Sequence, residues 1–412
     1  MKILVIAPTP FFADRGCHIR IYREIDYLQS KGHQVELVTY HLGDNLPGLK
    51  IHRTIKLPWY RKLGPGPSFH KLYIDFLLLF KALRVIGKFK PDIIHAHLHE
   101  GAIIAKICSW VYKIPVVFDV QGSLVGELKA HKFIRKNSFL GKIFLFIESW
   151  TYHTAHILFV NTNYTAENLV RDYSLNRGSI LVIPDAAIDA SPMTLFNPPD
   201  RKRSELAIPL NKKMVVYLGV LGEHQGTDFL LRVIQYVLRE RDDIHFLIMG
   251  YPDEKKYMNL ATTYNIAKYV SFTGRIPFTQ RWEYLAVGDI AVAPKFMDGG
   301  EGNGKLYDYM MAGLPTVVFD HPVNREILGD KGIYAKTADI GSFGDCILRL
   351  LGDKKYYQEM RDKIRCSQFE EDVSGRNSFF ALEQVLESIH RSAKNGYFCH
   401  KIPESEANTR PY

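Results

Sequence analysis

Cysteine is scarce in this chain, and what there is does not pair. Cys17, Cys108, Cys346, Cys366 and Cys399 are odd in number and widely scattered, so neither a disulfide framework nor a zinc ligand set is expected, and a reducing compartment suits this usage. Long apolar runs are lacking too: no stretch approaches the roughly 20 residues that span a bilayer. The apolar start, residues 2–8, is short for a signal-peptide core and runs at once into Asp14 and Arg15, which makes it a first strand rather than a leader. Nucleic-acid recognition motifs are also missing, so no nucleic-acid partner is expected despite the positive charge.

What is present is a globular composition, 46% hydrophobic and 24% charged over 412 residues, too long for one core and suited to two domains. Continuous apolar runs of strand length alternate with helical segments, the pattern of buried parallel sheets. A first series falls at 3–7, 35–40, 93–97, 116–120, 157–161 and 180–184. A second falls at 215–220, 245–249, 270–273, 290–294, 316–320 and 332–335. The polar stretch 197–211 between them reads as a linker. Residues 378–393 have helical periodicity with no strand after them, and the tail 404–412 has the small, polar and proline-rich composition of a disordered segment. The expected fold class is α/β, with two doubly wound, Rossmann-like domains over residues 1–196 and 197–375. Ligands in such folds bind outside the carboxyl ends of the strands.

The net charge of +9 is unevenly placed: residues 1–150 hold 22 Lys+Arg against 11 Asp+Glu, leaving 31 against 33 for the rest. In the segments 58–90 and 128–150 the basic residues mingle with Phe, Trp, Tyr and Leu. Such mixtures suit an anionic membrane surface, and equally suit helices that are solvated or packed on a sheet.

The densest chemistry lies in GEGNGKLYDYMMAGLPTVVFD, residues 300–320. Gly302 and Gly304 allow close backbone approach, and a helix over 305–312 would present free N–H groups there, a place for a diphosphate. This run resembles the acidic signature of retaining, nucleotide-sugar-dependent glycosyltransferases of family 4 (glycosyl transferases group 1). That signature has two glutamates separated by seven residues and an Ala-Met-Ala-x-Gly-x-Pro-Val-Val end. Glu301, Gly302 and Gly304 match its opening, and Met310, Gly313, Pro315, Val317 and Val318 its close. The second acid is Asp308, not glutamate, and lies one residue nearer.

Further stretches are similar to the same family: KGHQVELVTY (31–40), KPDIIHAHLHEG with IPVVFDVQG, VNTNYTAENL, and LVIPDAAIDA. The resemblance implies a GT-B fold with a cleft between two domains and a terminal helix, 376–395, returning to the first. It implies transfer of a sugar from a nucleoside-diphosphate donor to a glycan or lipid-linked acceptor with retention, without metal or other cofactor. It also implies a cytoplasmic location, with peripheral attachment at the inner membrane face as the role for the basic domain. Glu301, and Gln121 where the family has histidine, would contact the donor sugar. His99 and Glu100, after the strand 93–97, would touch acceptor or donor, while His95 and His97 pack near the strand end.

The family's Arg and Lys, after the first strand of the second domain, are replaced here by Val220 and Gln225. Lys295 and Lys305, with the N–H groups around Gly302, Asn303 and Gly304, are the candidates to hold the diphosphate instead. Arg15 and Gly16 in the first loop, Asp308 near the ribose, and Arg275 and Ile276 near the base complete the expected donor site. A nucleotide-sugar epimerase on the same architecture and a non-catalytic sugar-nucleotide-binding relative stay open as alternatives.

Overall fold

A computed structural model describes residues 1–64, 66, 68–134, 138–187, 199–296, 301–367 and 375–395. Two compact units form: Met1–Pro184 with Asp298–Gly302 and Arg376–Tyr412, and Asp185–Met297 with Asn303–Gly375.

The first unit contains β1 (Lys2–Ala7), α1 (Gly16–Ser30), β2 (Gln34–Thr39), β3 (Lys50–Arg53), α2 (His70–Phe89), β4 (Ile93–His97), α3 (Leu98–Tyr112) and β5 (Val116–Asp119). It continues with α4 (Leu124–Ala130), α5 (Phe139–Tyr152), β6 (Ile157–Val160), α6 (Asn163–Tyr173) and β7 (Ile180–Val182). Seven parallel strands lie in the order β3-β2-β1-β4-β5-β6-β7. β1 is central, with Val5 opposite Leu37 on one side and His95 on the other. Its side chains after Lys2 are all buried, which is why Val, Ile and Leu run without alternation. The edge strand β3 has no such run. Its sequence KIHR leaves every side chain at least partly exposed, and apolar patterning does not reveal it.

The second unit begins before the stretch read as a linker. Ala187 already packs in its core, so the chain has changed units by Asp185, and the boundary expected at 196 falls among residues outside those described. Residues 199–205 form a helix, α7 (Pro199–Glu205), in place of a linker. Pro199 and Asp200 suit a helix start. Arg203 donates to the Val287 carbonyl at 2.7 Å, Lys202 pairs with Glu283 at 3.0 Å, and Ile208 joins the core. Polarity here marks a helix whose charges are paired on the unit's own surface.

Then follow β8 (Lys213–Leu218), α8 (Thr227–Val237), β9 (Ile244–Met249), α9 (Glu254–Thr263), β10 (Val270–Gly274), α10 (Arg281–Leu285), β11 (Ile290–Ala293) and α11 (Lys305–Met311). The unit ends with β12 (Thr316–Phe319), α12 (Pro322–Leu328), β13 (Gly332–Ala335), α13 (Ile340–Gly352) and α14 (Lys354–Ser367). Its six parallel strands are ordered β10-β9-β8-β11-β12-β13.

The last described helix, α15 (Arg376–Lys394), groups with the first unit. Phe379 stacks on Tyr27 at 5.6 Å between ring centroids, and Glu383 accepts from Tyr27 at 3.3 Å and lies 3.1 Å from His33 Nε2. The tail 404–412 lies outside the described residues.

A buried ion pair joins α1 to β5. The Arg20 guanidinium grips Asp119 through Nε and Nη2 at 2.7–3.1 Å, and its Nη1 donates to the Ile183 carbonyl at 2.8 Å. Both side chains are almost wholly buried. Burial alone would raise the Asp119 carboxyl, but Arg20 beside it holds it well below the usual range. A carboxylate depressed in the fold stabilises above its unfolded pKa, about 3.9, and that contribution is lost as pH falls further. Asp119→Asn, which strands the guanidinium, is expected to destabilise the first unit by about 3–5 kcal/mol at pH 7. The gap to the parent chain should shrink below about pH 4, as read from urea melts at several pH values.

Candidate functional site

Each sheet reverses its strand order once, between β1 and β4 in the first unit and between β8 and β11 in the second. The carboxyl ends of the strands at such a reversal leave a crevice, and most of the expected site residues follow these strands.

In the first unit α1 starts at Gly16, where an added Cβ would meet nothing within 4 Å. Arg15 makes no side-chain cap to the helix; its guanidinium turns aside to the Leu63 carbonyl at 3.0 Å. The first turn of α1 thus stays open at its backbone. His18 is buried and shapes the preceding loop, with Nδ1 accepting from the Ala13 N–H at 2.9 Å and Nε2 2.6 Å from the Thr9 hydroxyl.

Beneath α1 the two strand histidines point the same way, as their period of two requires. His95 and His97 have ring centroids 4.4 Å apart, and their Nε2 atoms lie 3.6 and 3.7 Å from Glu24 Oε2. These three residues offer ligand atoms within 4.8 Å of one another, although Arg20, 3.2 Å from Glu24, already brings a cation to the carboxylate. Burial pushes His95 well below the usual imidazole range.

His99, expected to touch acceptor or donor, has both ring nitrogens engaged within the unit. It is 5% exposed, with Nδ1 2.8 Å from the Thr151 hydroxyl and Nε2 3.1 Å from the Gly122 carbonyl. Standing one residue into α3, it turns towards α5, and both nitrogens are spent on structure. Glu100 is engaged as well: burial would raise it, but Lys71, at 3.2 Å, holds the carboxyl below the usual range. Gln121 donates to Asp119 at 2.9 Å and its amide nitrogen lies 3.1 Å from His97 Nδ1. Its side-chain oxygen is buried without a partner among the described residues.

Glu301, which groups with this unit, comes so close to the following glycine that a Cβ on Gly122 would lie 2.8 Å from Glu301 Cγ. Only glycine fits beside that carboxylate. His99, whose Nε2 is 3.1 Å from the Gly122 carbonyl, therefore lies behind the residue on which Glu301 packs.

In the second unit Lys305 is the centre. From the first turn of α11 its Nζ reaches back over the Tyr217 ring, 4.5 Å from the centroid, to lie 3.3 Å from Gln225 Oε1 and 3.4 Å from the Tyr217 hydroxyl. A Cβ on Gly219 would meet Nζ at 2.7 Å. The loop after β8, where the family's cations are missing, thus receives an amine from α11. Burial, and then the charge of Lys295, pushes the Lys305 ammonium down to about 7. Lys295, 8% exposed, follows β11. Gly304 lies against Asp185, whose Oδ2 would be 3.1 Å from an added Cβ.

Other expected donor contacts turn inward. Asp308 lies 3.3 Å from the buried Arg281 guanidinium, which is itself sandwiched against Phe278 and Trp282; the carboxylate is committed to the core. Leaving seven residues between the two positions, as the signature does, reaches Tyr309 from Glu301, and its hydroxyl accepts from the Leu218 N–H at 2.8 Å at the β8 end. One residue turns a helix by about 100°, so the shortened spacing aims Asp308 away from β8.

Asn303, 2% exposed, donates to Asn324 at 3.1 Å and ties α11 to α12, while its carbonyl accepts from the Leu306 N–H at 2.9 Å. Ile276 belongs to the core, while Arg275 is exposed, 5.9 Å from the Tyr251 ring. Sequence reasoning missed Tyr217, Arg281 and Tyr309. Tyr217 sits in an apolar run and Tyr309 in a mixed one, and Arg281 lies in the polar TQRWE; nothing local marks any of the three as buried.

Because a depressed lysine binds its proton more weakly in the fold than in the unfolded chain, stability should rise with pH between about 7 and about 10.4. Relative to Lys305→Met, the parent chain is expected to gain stability across that window. An NMR titration of reductively methylated lysines should show one amine with a midpoint near 7 that is absent from the variant.

Comparison with known proteins covers both units. Residues 15–187 match the glycosyltransferase family 4 profile, and residues 199–366 match that of the glycosyl transferases group 1. A D-inositol 3-phosphate glycosyltransferase from Corynebacterium diphtheriae is 26% identical over 87% of this chain and 83% of its own length. The phosphatidylinositol N-acetylglucosaminyltransferase GPI3 subunit of Saccharomyces cerevisiae is 23% identical over 67% of this chain and 58% of its own length. Among solved structures, sucrose-phosphate synthase from Thermosynechococcus elongatus superposes with a TM-score of 0.76 at 15% identity, over 95% of this chain and all of its own. Anabaena HepE in complex with UDP and glucose superposes at 0.72 and 13% identity, over 94% and 100%. With two doubly wound units, an amine at the second strand-order reversal and matches spanning both halves, the chain belongs to the group 1 glycosyltransferases and has their GT-B fold.

Proposed function

We propose that this glycosyltransferase draws its sugar from a nucleoside-diphosphate donor and passes it, with retention at the anomeric carbon, to a glycan or lipid-linked acceptor. The carrying observation is Lys305 Nζ, held against Gln225 and Gly219 at the β8/β11 reversal. A lysine poised near neutrality is a receptor for an anion: a diphosphate arriving there would draw a proton onto the amine and gain a charge-assisted hydrogen bond. The reading assigns the leaving-group charge to Lys305 and Lys295 and calls for no metal. Preorganised positive charge at the departing oxygen is the largest contribution a protein can make to such a step.

The step balances without a protein nucleophile. The bond from the anomeric carbon to the diphosphate oxygen breaks, the acceptor oxygen bonds to that carbon on the same face, and the acceptor proton passes to the departing diphosphate. Glu301, fitted against Gly122, orients the donor sugar through its hydroxyls, and Gln121, which cannot carry a proton charge, is confined to hydrogen bonding. An acceptor held in a membrane agrees with the phosphatidylinositol in the name of one relative, while the inositol phosphate in the name of another is a soluble alternative.

Release of nucleoside diphosphate from UDP-, GDP- and ADP-sugars, with and without membrane lipid extract, tests the reading. One donor should respond to lipid, and Glu301→Ala should lose that response. Gly122→Ala should lower turnover as well, yet add little in the Glu301→Ala background, since the two changes disturb one contact. Proton NMR of the product should show the donor's anomeric configuration. Binding of the matching free diphosphate should take up a proton above pH 7, as calorimetry in buffers of different ionisation heat would show, and Lys305→Met should weaken it about 10- to 100-fold. Donor conversion without acceptor would indicate an epimerase, and binding without any release a non-catalytic relative.

A further inference from the structure

The first unit carries an unusual distribution of apolar surface. Sixteen of the nineteen large hydrophobic side chains exposed among the described residues lie between Ile55 and Phe146. On α2 they form one stripe: Phe69, Leu72, Phe76 and Phe80 recur at helical spacing and are 55–75% exposed. The charged residues of the same turns face the other way, Lys71 towards Glu100 at 3.2 Å and Asp75 towards the Tyr40 hydroxyl. The helix is inverted relative to a solvated one, whose outer stripe is polar.

The same inversion recurs on α5. Phe139, Leu140, Ile143 and Phe146 are 38–78% exposed, while Glu148 is buried and accepts from the Tyr152 hydroxyl at 3.0 Å. Phe133, exposed in the connection between α4 and α5, meets Phe69 at the start of the α2 stripe, 5.3 Å between ring centroids.

Charge identifies what covers this face. From residue 56 to residue 146 there are 15 Lys+Arg and 5 Asp+Glu. Four of the five acids are engaged within the unit: Asp75 with Tyr40, Asp92 with the Lys2 N–H, Glu100 with Lys71, and Asp119 with Arg20. Exposed Arg84 and Lys88 continue the α2 stripe beyond Phe80, and exposed Lys142 lies within the α5 stripe. A second copy of the chain meeting this face would set two positive fields against each other. Anionic headgroups answer the charge, and the acyl boundary answers the aromatics.

We propose that the outer faces of α2 and α5 form a membrane-docking surface, with the aromatic stripes entering the interface of a bilayer rich in anionic phospholipid. No helix among the described residues is long and apolar enough to cross a membrane, so attachment here is by lying on the bilayer, not by spanning it. The inference rests on the reading of the chain as a transferase with a membrane-held acceptor, but it can fail separately.

The test is flotation of the full chain with vesicles of phosphatidylcholine alone and of phosphatidylcholine mixed with phosphatidylglycerol. The parent chain should float with the mixed vesicles, less with the neutral ones, and less as salt rises. Phe76→Ser combined with Phe80→Ser should reduce partitioning at least about tenfold, with diphosphate binding and thermal unfolding unchanged, since both side chains are already in water. Lys88→Glu combined with Lys142→Glu should abolish the preference for anionic vesicles. Equal flotation of the Phe variant, or no flotation of the parent chain, overturns the proposal. So does a concentration-dependent dimer that the Phe variant dissolves while vesicles bind neither protein. Vesicle binding that is lost in the variant, beside transfer to soluble acceptors only, would keep the surface and refute the lipid-held acceptor.

Discussion

A parallel sheet covered on both faces leaves chemistry almost nowhere to go except the loops at its carboxyl ends. That constraint organises both units. Where the strand order reverses, two successive crossovers run to opposite sides of the sheet, and the loops beside the reversal part. In the second unit the parted loops are those after β8 and β11, and Lys305 enters that space from α11. In the first unit they follow β1 and β4, beside the open first turn of α1. The sites are dictated by topology before any particular side chain is chosen.

The side chains then solve a charge problem. The second unit has Val220 and Gln225 where its family keeps two cations after β8, and an amine from a distant part of the chain, Lys305, lies beside that loop, enclosed enough to sit near neutrality. The first unit does the reverse, taking Arg20, Glu24, Asp119 and three histidines into its interior and binding them mainly to each other and to backbone. The Lys305 amine in the second unit rests on neutral groups, Gln225 and Tyr217, whereas Arg20 in the first is tied to Asp119 and holds α1 to the sheet.

The strands were legible because a doubly covered parallel strand has no polar face, and runs such as those in β1, β9 and β12 can hardly be anything else. β3 was not, because an edge strand half in water carries no such signature. Lys305 was legible through its place after a glycine loop, whereas its partners Tyr217 and Gly219 were not, since contacts across 88 and 86 residues of sequence leave no local trace. Asp308 and His99 misled for a related reason. Residue type and spacing suggest a ligand contact, but a helix turns each position by a fixed angle, and at both places that angle points into the protein, at Arg281 and at Thr151. The basic, aromatic segments were legible as a mixture, yet only the fold separates Lys71, turned in, from Phe76, turned out.

The terminal helix α15 completes the first unit by stacking Phe379 on Tyr27 and setting Glu383 against Tyr27 and His33. A ribosome delivers α1 about 350 residues before it delivers that cover, which at 5–20 residues per second is an interval of roughly twenty seconds to a minute. The first unit to emerge is therefore the last to be finished. Through that interval the Tyr27 face of α1 is apolar surface awaiting its own chain, and the second unit, complete by residue 367, has every opportunity to fold first.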